Sequence, residues 1–163
     1  MIAIALAAKP ALLLADEPTT ALDVTIQDQI IKLILQLAAE LGMSVILVTH
    51  DLGVVAESCD RVAVMYAGRI VETAPVATLF RTPRHAYTLG LLQSIPQGRA
   101  PRTLLPSIPG APPRPGEIGD GCGFAPRCGF VTEACRSGRP QTRRVAPDHL
   151  TWCRHADALP EPA

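Results

Sequence analysis

The stretch Leu12–Asp23, LLLADEPTTALD, decides the fold. Leucines and an alanine run straight into two adjacent carboxylates, Asp16 and Glu17, and past a proline a third, Asp23, follows six residues after Glu17. So apolar a run belongs inside a sheet. The carboxylates at its end then stand at a buried edge, where charge is costly without a partner. The pattern asks for a cation or a reacting group there.

Outward from that stretch, Met1–Ala8 has the make-up of a buried helix, ended at Lys9-Pro10 because proline disfavours helix for the residue before it. Ala11–Ala15 reads as a fully buried parallel strand. From Val24 to Leu41 the apolar residues Ile26, Ile30, Leu33, Ile34, Leu37 and Leu41 recur at three and four, predicting a helix with one core face that stops at Gly42. Ser44–Val48, SVILV, reads as a second buried strand and runs into Thr49-His50-Asp51. Strand, helix and strand make the β-α-β unit of a parallel sheet, so the class is α/β. Beyond a helix near Leu52–Cys59, RVAVMYAGRIVETA predicts two strands joined at Ala67-Gly68. VATLF and HAYTLGLLQSI read as two short helices.

Composition sets the outer bounds. The chain has 163 residues, of which 48% are hydrophobic and 18% charged, enough for one modest core and a smaller appendage. Its 15 basic and 15 acidic residues argue against nucleic-acid binding driven by bulk charge. The balance hides an asymmetry: residues 1–98 hold six basic and nine acidic groups, whereas 99–163 hold nine and six. MIAIALAA lacks the positive region and cleavage context of a signal peptide, and Lys9, Pro10, Asp16 and Glu17 interrupt the first apolar run before it could span a bilayer. Membrane association is therefore expected through a partner. Between Pro96 and Gly116 lie seven prolines in 21 residues, which predicts an extended linker.

A strand ending in Asp-Glu places both groups at the carboxyl edge of a parallel sheet, where ligands of such sheets bind. In phosphoryl transfer the first carboxylate holds magnesium and the second orients or deprotonates the attacking water. That assigns Asp16 to the metal and Glu17 to the water. The competing reading is that both acids merely cap a helix beginning near Pro18.

LLLADEPTTALD resembles the Walker B motif and D-loop of ATP-binding cassette (ABC) proteins, and VILVTHDL resembles the strand and switch histidine that follow them. The resemblance implies a P-loop NTPase fold using ATP and Mg2+, with Asp16 at the magnesium, Glu17 as catalytic glutamate, Asp23 coupling paired sites and His50 contacting the γ-phosphate. It narrows further. DEPTTALDVTIQDQI, THDLGVVAESCDRVAVMYAGRIVE and PRHAYTLGLLQSIP look like the ATP-binding subunits of oligopeptide and dipeptide importers, whose relatives also carry nickel or glutathione. One departure is Ala86, where that family commonly has the proline of a His-Pro-Tyr triplet. On this resemblance residues 1–80 are the C-terminal part of the ATPase domain and 81–163 the importers' C-terminal extension. The implied partners are membrane permease subunits, a second ATP-binding subunit and, indirectly, an extracytoplasmic solute-binding protein. The implied location is the cytoplasmic face of the membrane.

The family's glycine-rich P-loop is missing: the only lysines, Lys9 and Lys32, are not preceded by glycine, and no Gly-Gly pair offers the signature motif. These gaps predict the C-terminal portion of a longer subunit or a truncated gene product. In the family's sheet the P-loop strand lies between the strands at Val45–Val48 and Val62–Met65, so an apolar gap is expected, with marginal stability and no ATP hydrolysis by the chain alone. The alternative is a non-catalytic metal-binding or regulatory module.

Cys122, Cys128, Cys135 and Cys153 lack the paired CxxC spacing of a zinc ribbon, and a segment this small and loop-rich usually needs a metal or disulfide staple. Iron–sulfur cluster, zinc or disulfides, and unliganded thiols all remain open. Within the resemblance, SIPGAPPRPG, GCGFAPRCGFVTEAC and HLTWC look like the extension in which such cysteines can bind a 4Fe-4S cluster. His149 and His155 read as ordinary surface histidines rather than ligands, with replacement of a cysteine by either as the alternative, and Cys59 reads as a small apolar helix residue.

Overall fold

The computed structural model describes residues 2–20, 22–95, 106–114 and 116–162. Its architecture is mixed α/β, and the chain divides into two compact units, Met1–Cys59 and Asp60–Ala163.

The first unit runs α1 (Ile2–Ala7), β1 (Leu12–Asp16), α2 (Val24–Leu41), β2 (Ser44–Val48) and α3 (Leu52–Ser58). β1 and β2 pair in parallel, Leu12 opposite Ser44 and Asp16 opposite Val48. α2 starts where Asp23 accepts the Ile26 amide and stops where Gly42, at φ 64°, returns its N–H to the Ala38 carbonyl. Leu13, Ile34 and Met43 form the core, with Ile2, Leu6, Ile30, Leu37 and Val45 packed on it. The strands are less buried than their composition predicts. Leu13 and Ala15 face the helices, while Leu12, Leu14, Ile46 and Val48 are exposed, Leu14 at 69%. The reason is period two: alternate side chains point to opposite faces, and within this unit the helices cover one face only. On α2, likewise, the buried residues are Ile31 and Ile34, and Ile26, Leu33 and Leu41 remain exposed.

The second unit opens with a hairpin, β3 (Arg61–Tyr66) and β4 (Arg69–Pro75). Ala67 and Gly68 form its two-residue turn, both at positive φ, 47° and 77°. That is the turn twist matching the strands. α4 (Val76–Arg81) and α5 (Ala86–Gln93) follow, then a 3-10 turn at Ala125–Arg127, α6 (Glu133–Arg136), β5 (Arg143–Ala146) and β6 (His149–Thr151). Residues 106–114 hold no helix or strand, and the rest of the proline-rich stretch lies largely outside the described residues. The sheet order is β3-β4-β6-β5, so the cysteine-bearing segment returns a strand to the hairpin. The core joins Val64, Val71, Ala74, Leu79 and Leu89 to Phe124, Cys153, Ala156 and Leu159. Tyr66, Tyr87 and Phe124 pack with ring centroids 4.7–5.4 Å apart. No helix among the described residues is long and apolar enough to cross a membrane.

Candidate functional site

Register builds the site of the first unit. Because β1 and β2 are parallel and Asp16 sits opposite Val48, the residues leaving both strands emerge at one carboxyl edge. Glu17 anchors there by donating its backbone N–H to the Val48 carbonyl at 2.8 Å. Its φ of 44° lies in the left-handed region, which a non-glycine residue adopts at a cost. Glu17 Oε1 then lies 3.1 Å from His50 Nδ1, and Thr20 Oγ1 donates to Oε2 at 2.7 Å. The Thr20 hydroxyl, and after it His50, hold the Glu17 carboxyl below its ordinary value. An ionised carboxylate only accepts, so Nδ1 carries the proton in this pair and Nε2 is the ring nitrogen left for a ligand.

Asp16 stands exposed at the end of β1, one residue before this pair. No helix begins at Pro18; residues 18–20 form a turn, so Asp16 and Glu17 are not caps. The capping acids are Asp23, on α2, and Asp51, which accepts from the Gly53 and Val54 amides of α3. Asp51 also accepts from Gln27 Nε2 at 2.9 Å. Asp16, Glu17 and His50 are thus brought to one edge, with Asp23 following the turn.

In the second unit Cys122, Cys128, Cys135 and Cys153 line one small cavity, together with His85, Phe124, Trp152 and His155. None is in a disulfide. Burial pushes the thiols of Cys122, Cys128 and Cys153 up, and their charges oppose one another's ionisation. Cys122 donates its backbone N–H to the Cys135 carbonyl at 2.8 Å. Among the described residues, no group of three or more His, Cys, Asp or Glu is arranged around a single metal ion. His155 lies half-buried with Nε2 3.4 Å from Cys135 Sγ and 3.1 Å from Thr132 Oγ1.

His149 corrects the sequence reading outright. It is 1% exposed, and its Nε2 lies 2.7 Å from Glu72 Oε1, itself fully buried on β4. Glu72 Oε1 also accepts the Arg84 amide. The surface reading fails because β6 pairs with β4, a contact across nearly 80 positions that local pattern does not reveal. His85, at 1% exposure, was also unmarked; its one signal was a place beside the departure at Ala86.

Similarity to known proteins extends beyond this edge of acid, acid and histidine. Residues 71–135 match the family described as oligopeptide/dipeptide transporter, C-terminal region. The chain is similar to ATP-binding proteins of peptide ABC transporters along most of its own length. It is 54% identical to a peptide ABC transporter ATP-binding protein of Sinorhizobium fredii, over 94% of this chain and 46% of that one. It is 52% identical to a peptide import ATP-binding protein of Brucella ovis, over 93% and 47%. The chain thus spans about half the length of the curated relatives it matches. The solved cbiO1 of Clostridium perfringens, part of an ABC transporter complex, overlaps 44% of this chain at 38% identity, covering 29% of that structure with a TM-score of 0.42.

Proposed function

We propose that this chain supplies the carboxyl-edge half of an ATP site in a peptide-importer subunit, which couples ATP hydrolysis to uptake of oligopeptides, dipeptides or a related small solute such as nickel. The observation that carries this reading is the Glu17–His50 pair at the end of the parallel β1–β2 register. Asp16, exposed beside it, would hold Mg2+, which when bound neutralises phosphate charge. Glu17 orients the attacking water and accepts its proton; His50 presents Nε2 toward the terminal phosphate. Asp23 links this site to that of a second ATP-binding subunit. ATPase domain and extension divide at residues 80/81 in this reading, and permease subunits would hold the subunit at the inner face of the membrane, with an external binding protein delivering solute.

The chain alone contains no glycine-rich loop followed by lysine, and by itself it is expected to show no ATP turnover. In an intact subunit that carries this sequence, Glu17→Gln should keep ATP binding and lower hydrolysis at least about 100-fold, the lower range for loss of a general base. Unchanged hydrolysis would overturn the assignment.

A second role, favoured by the shared cavity of four cysteines, is a metal centre. The donor set suits a 4Fe-4S cluster held by Cys122, Cys128, Cys135 and Cys153, with zinc as the alternative. Such a cluster, when bound, supplies either a structural staple or a one-electron centre. The chain's own part is to gather four thiols away from water and release their protons as the group binds. Anaerobic reconstitution with iron and sulfide should give charge-transfer absorbance and about four iron atoms per chain.

A further inference from the structure

We propose that His85 donates an Nε2–H hydrogen bond to the sulfur-bound group of the four-cysteine cavity and thereby sets its reduction potential. The inference rests on the cluster reading and concerns a residue outside the cysteine set.

His85 caps α5: its Nδ1 accepts the Tyr87 amide at 3.1 Å, so that nitrogen carries no proton. A neutral ring then holds its proton on Nε2. Nε2 is buried and has no hydrogen-bond partner among the described residues, a condition native folds avoid unless the site awaits one. The ring lines the cysteine cavity, and its close aromatic neighbour, Phe124 at 6.1 Å between centroids, offers no acceptor in kind. The four cysteine sulfurs line the same cavity.

The frame around the ring is fixed on both sides. Arg84 donates its amide to Glu72 at 2.6 Å and accepts Thr151 Oγ1 at 2.8 Å. Ala86, next along at the start of α5, lines the same cavity as Cys153. A protonated Nε2 is a donor and not a metal ligand, so the role is positioning and tuning. Donation to sulfur stabilises the more negative, reduced state and raises the potential.

The test uses the full chain, reconstituted anaerobically with ferrous iron and sulfide and titrated with dithionite under spectroelectrochemical control. His85→Asn retains a capping acceptor for α5 while withdrawing the donor from the cavity. Iron content and absorbance should match the unaltered chain, while the reduction equilibrium falls about tenfold, some 59 mV for one electron. An unchanged potential with the cluster intact overturns this inference alone. No cluster in the unaltered chain overturns the four-cysteine reading and this inference together. Cluster loss confined to His85→Asn would make the residue a ligand or a structural prop, against the proposal. Should that variant fail to fold, 15N-histidine chain in a His155→Asn background leaves His85 as the one histidine lining the cavity among the described residues. Pulsed EPR of the reduced protein should then show a weak 15N coupling; none, or one strong enough for direct ligation, overturns it.

Discussion

Gly121 shows how narrowly the cysteine cavity is built. A Cβ there would stand 2.7 Å from both the Cys135 and Arg136 carbonyl oxygens, backbone atoms that cannot swing away. Gly121→Ala is therefore expected to cost roughly 1–3 kcal/mol, as overpacking does, and to reduce iron uptake on reconstitution. Urea denaturation and iron analysis check the two halves. At Asp51 the Gln27 amide, ahead of the backbone donors of α3, holds the carboxyl below its ordinary 3.8. The folded value lies under the unfolded one, so this group stabilises the fold above about pH 3.8 and loses its contribution as pH falls through the folded value. An NMR titration should find Asp51 ionising below 3.8, and Gln27→Ala should move it upward. The positions of Asp16, Glu17 and His50, as distinct from their roles, were legible from sequence because each stands at or just past a strand end, where local order dictates position. His85 and His149 were not, because their burial depends on segments that meet only in three dimensions.

At the scale of elements, the Ala67-Gly68 turn was readable from its flanking strands, yet alanine is the less suited residue at φ 47°. Ala67→Gly should raise stability by about 0.5 kcal/mol, the balance of relieved backbone cost against added unfolded-state freedom, and calorimetry would register a higher Tm. Helices and strands through α5 stand close to their predicted bounds because each carries its own period or stop signal, Gly42 after α2 and Lys9-Pro10 after α1. Burial was the weaker part of the reading. An apolar strand such as SVILV declares itself a strand, but which of its faces is covered depends on the layers around it. Short β5 and β6 carry too few residues to show a period at all.

Across the whole molecule, the decisive join is the buried Glu72–His149 contact between β4 and β6. His149→Ala should destabilise the second unit by roughly 3 kcal/mol or more, because it strands a carboxylate without its partner in the interior. Glu72→Gln with His149→Gln should recover part of that loss, and guanidinium melts of both variants decide it. The same join has a bearing on biosynthesis. Glu72 leaves the ribosome long before His149, so β4 must wait with an open edge and an uncovered acid while some 75 further residues are translated, a distance set by positions 72 and 149. An edge held open that long invites pairing with another nascent chain. The last strand of the sheet thus acts as a closing signal: until it emerges, the hairpin is a client for chaperones, and ribosomes stalled short of His149 should yield aggregation-prone product.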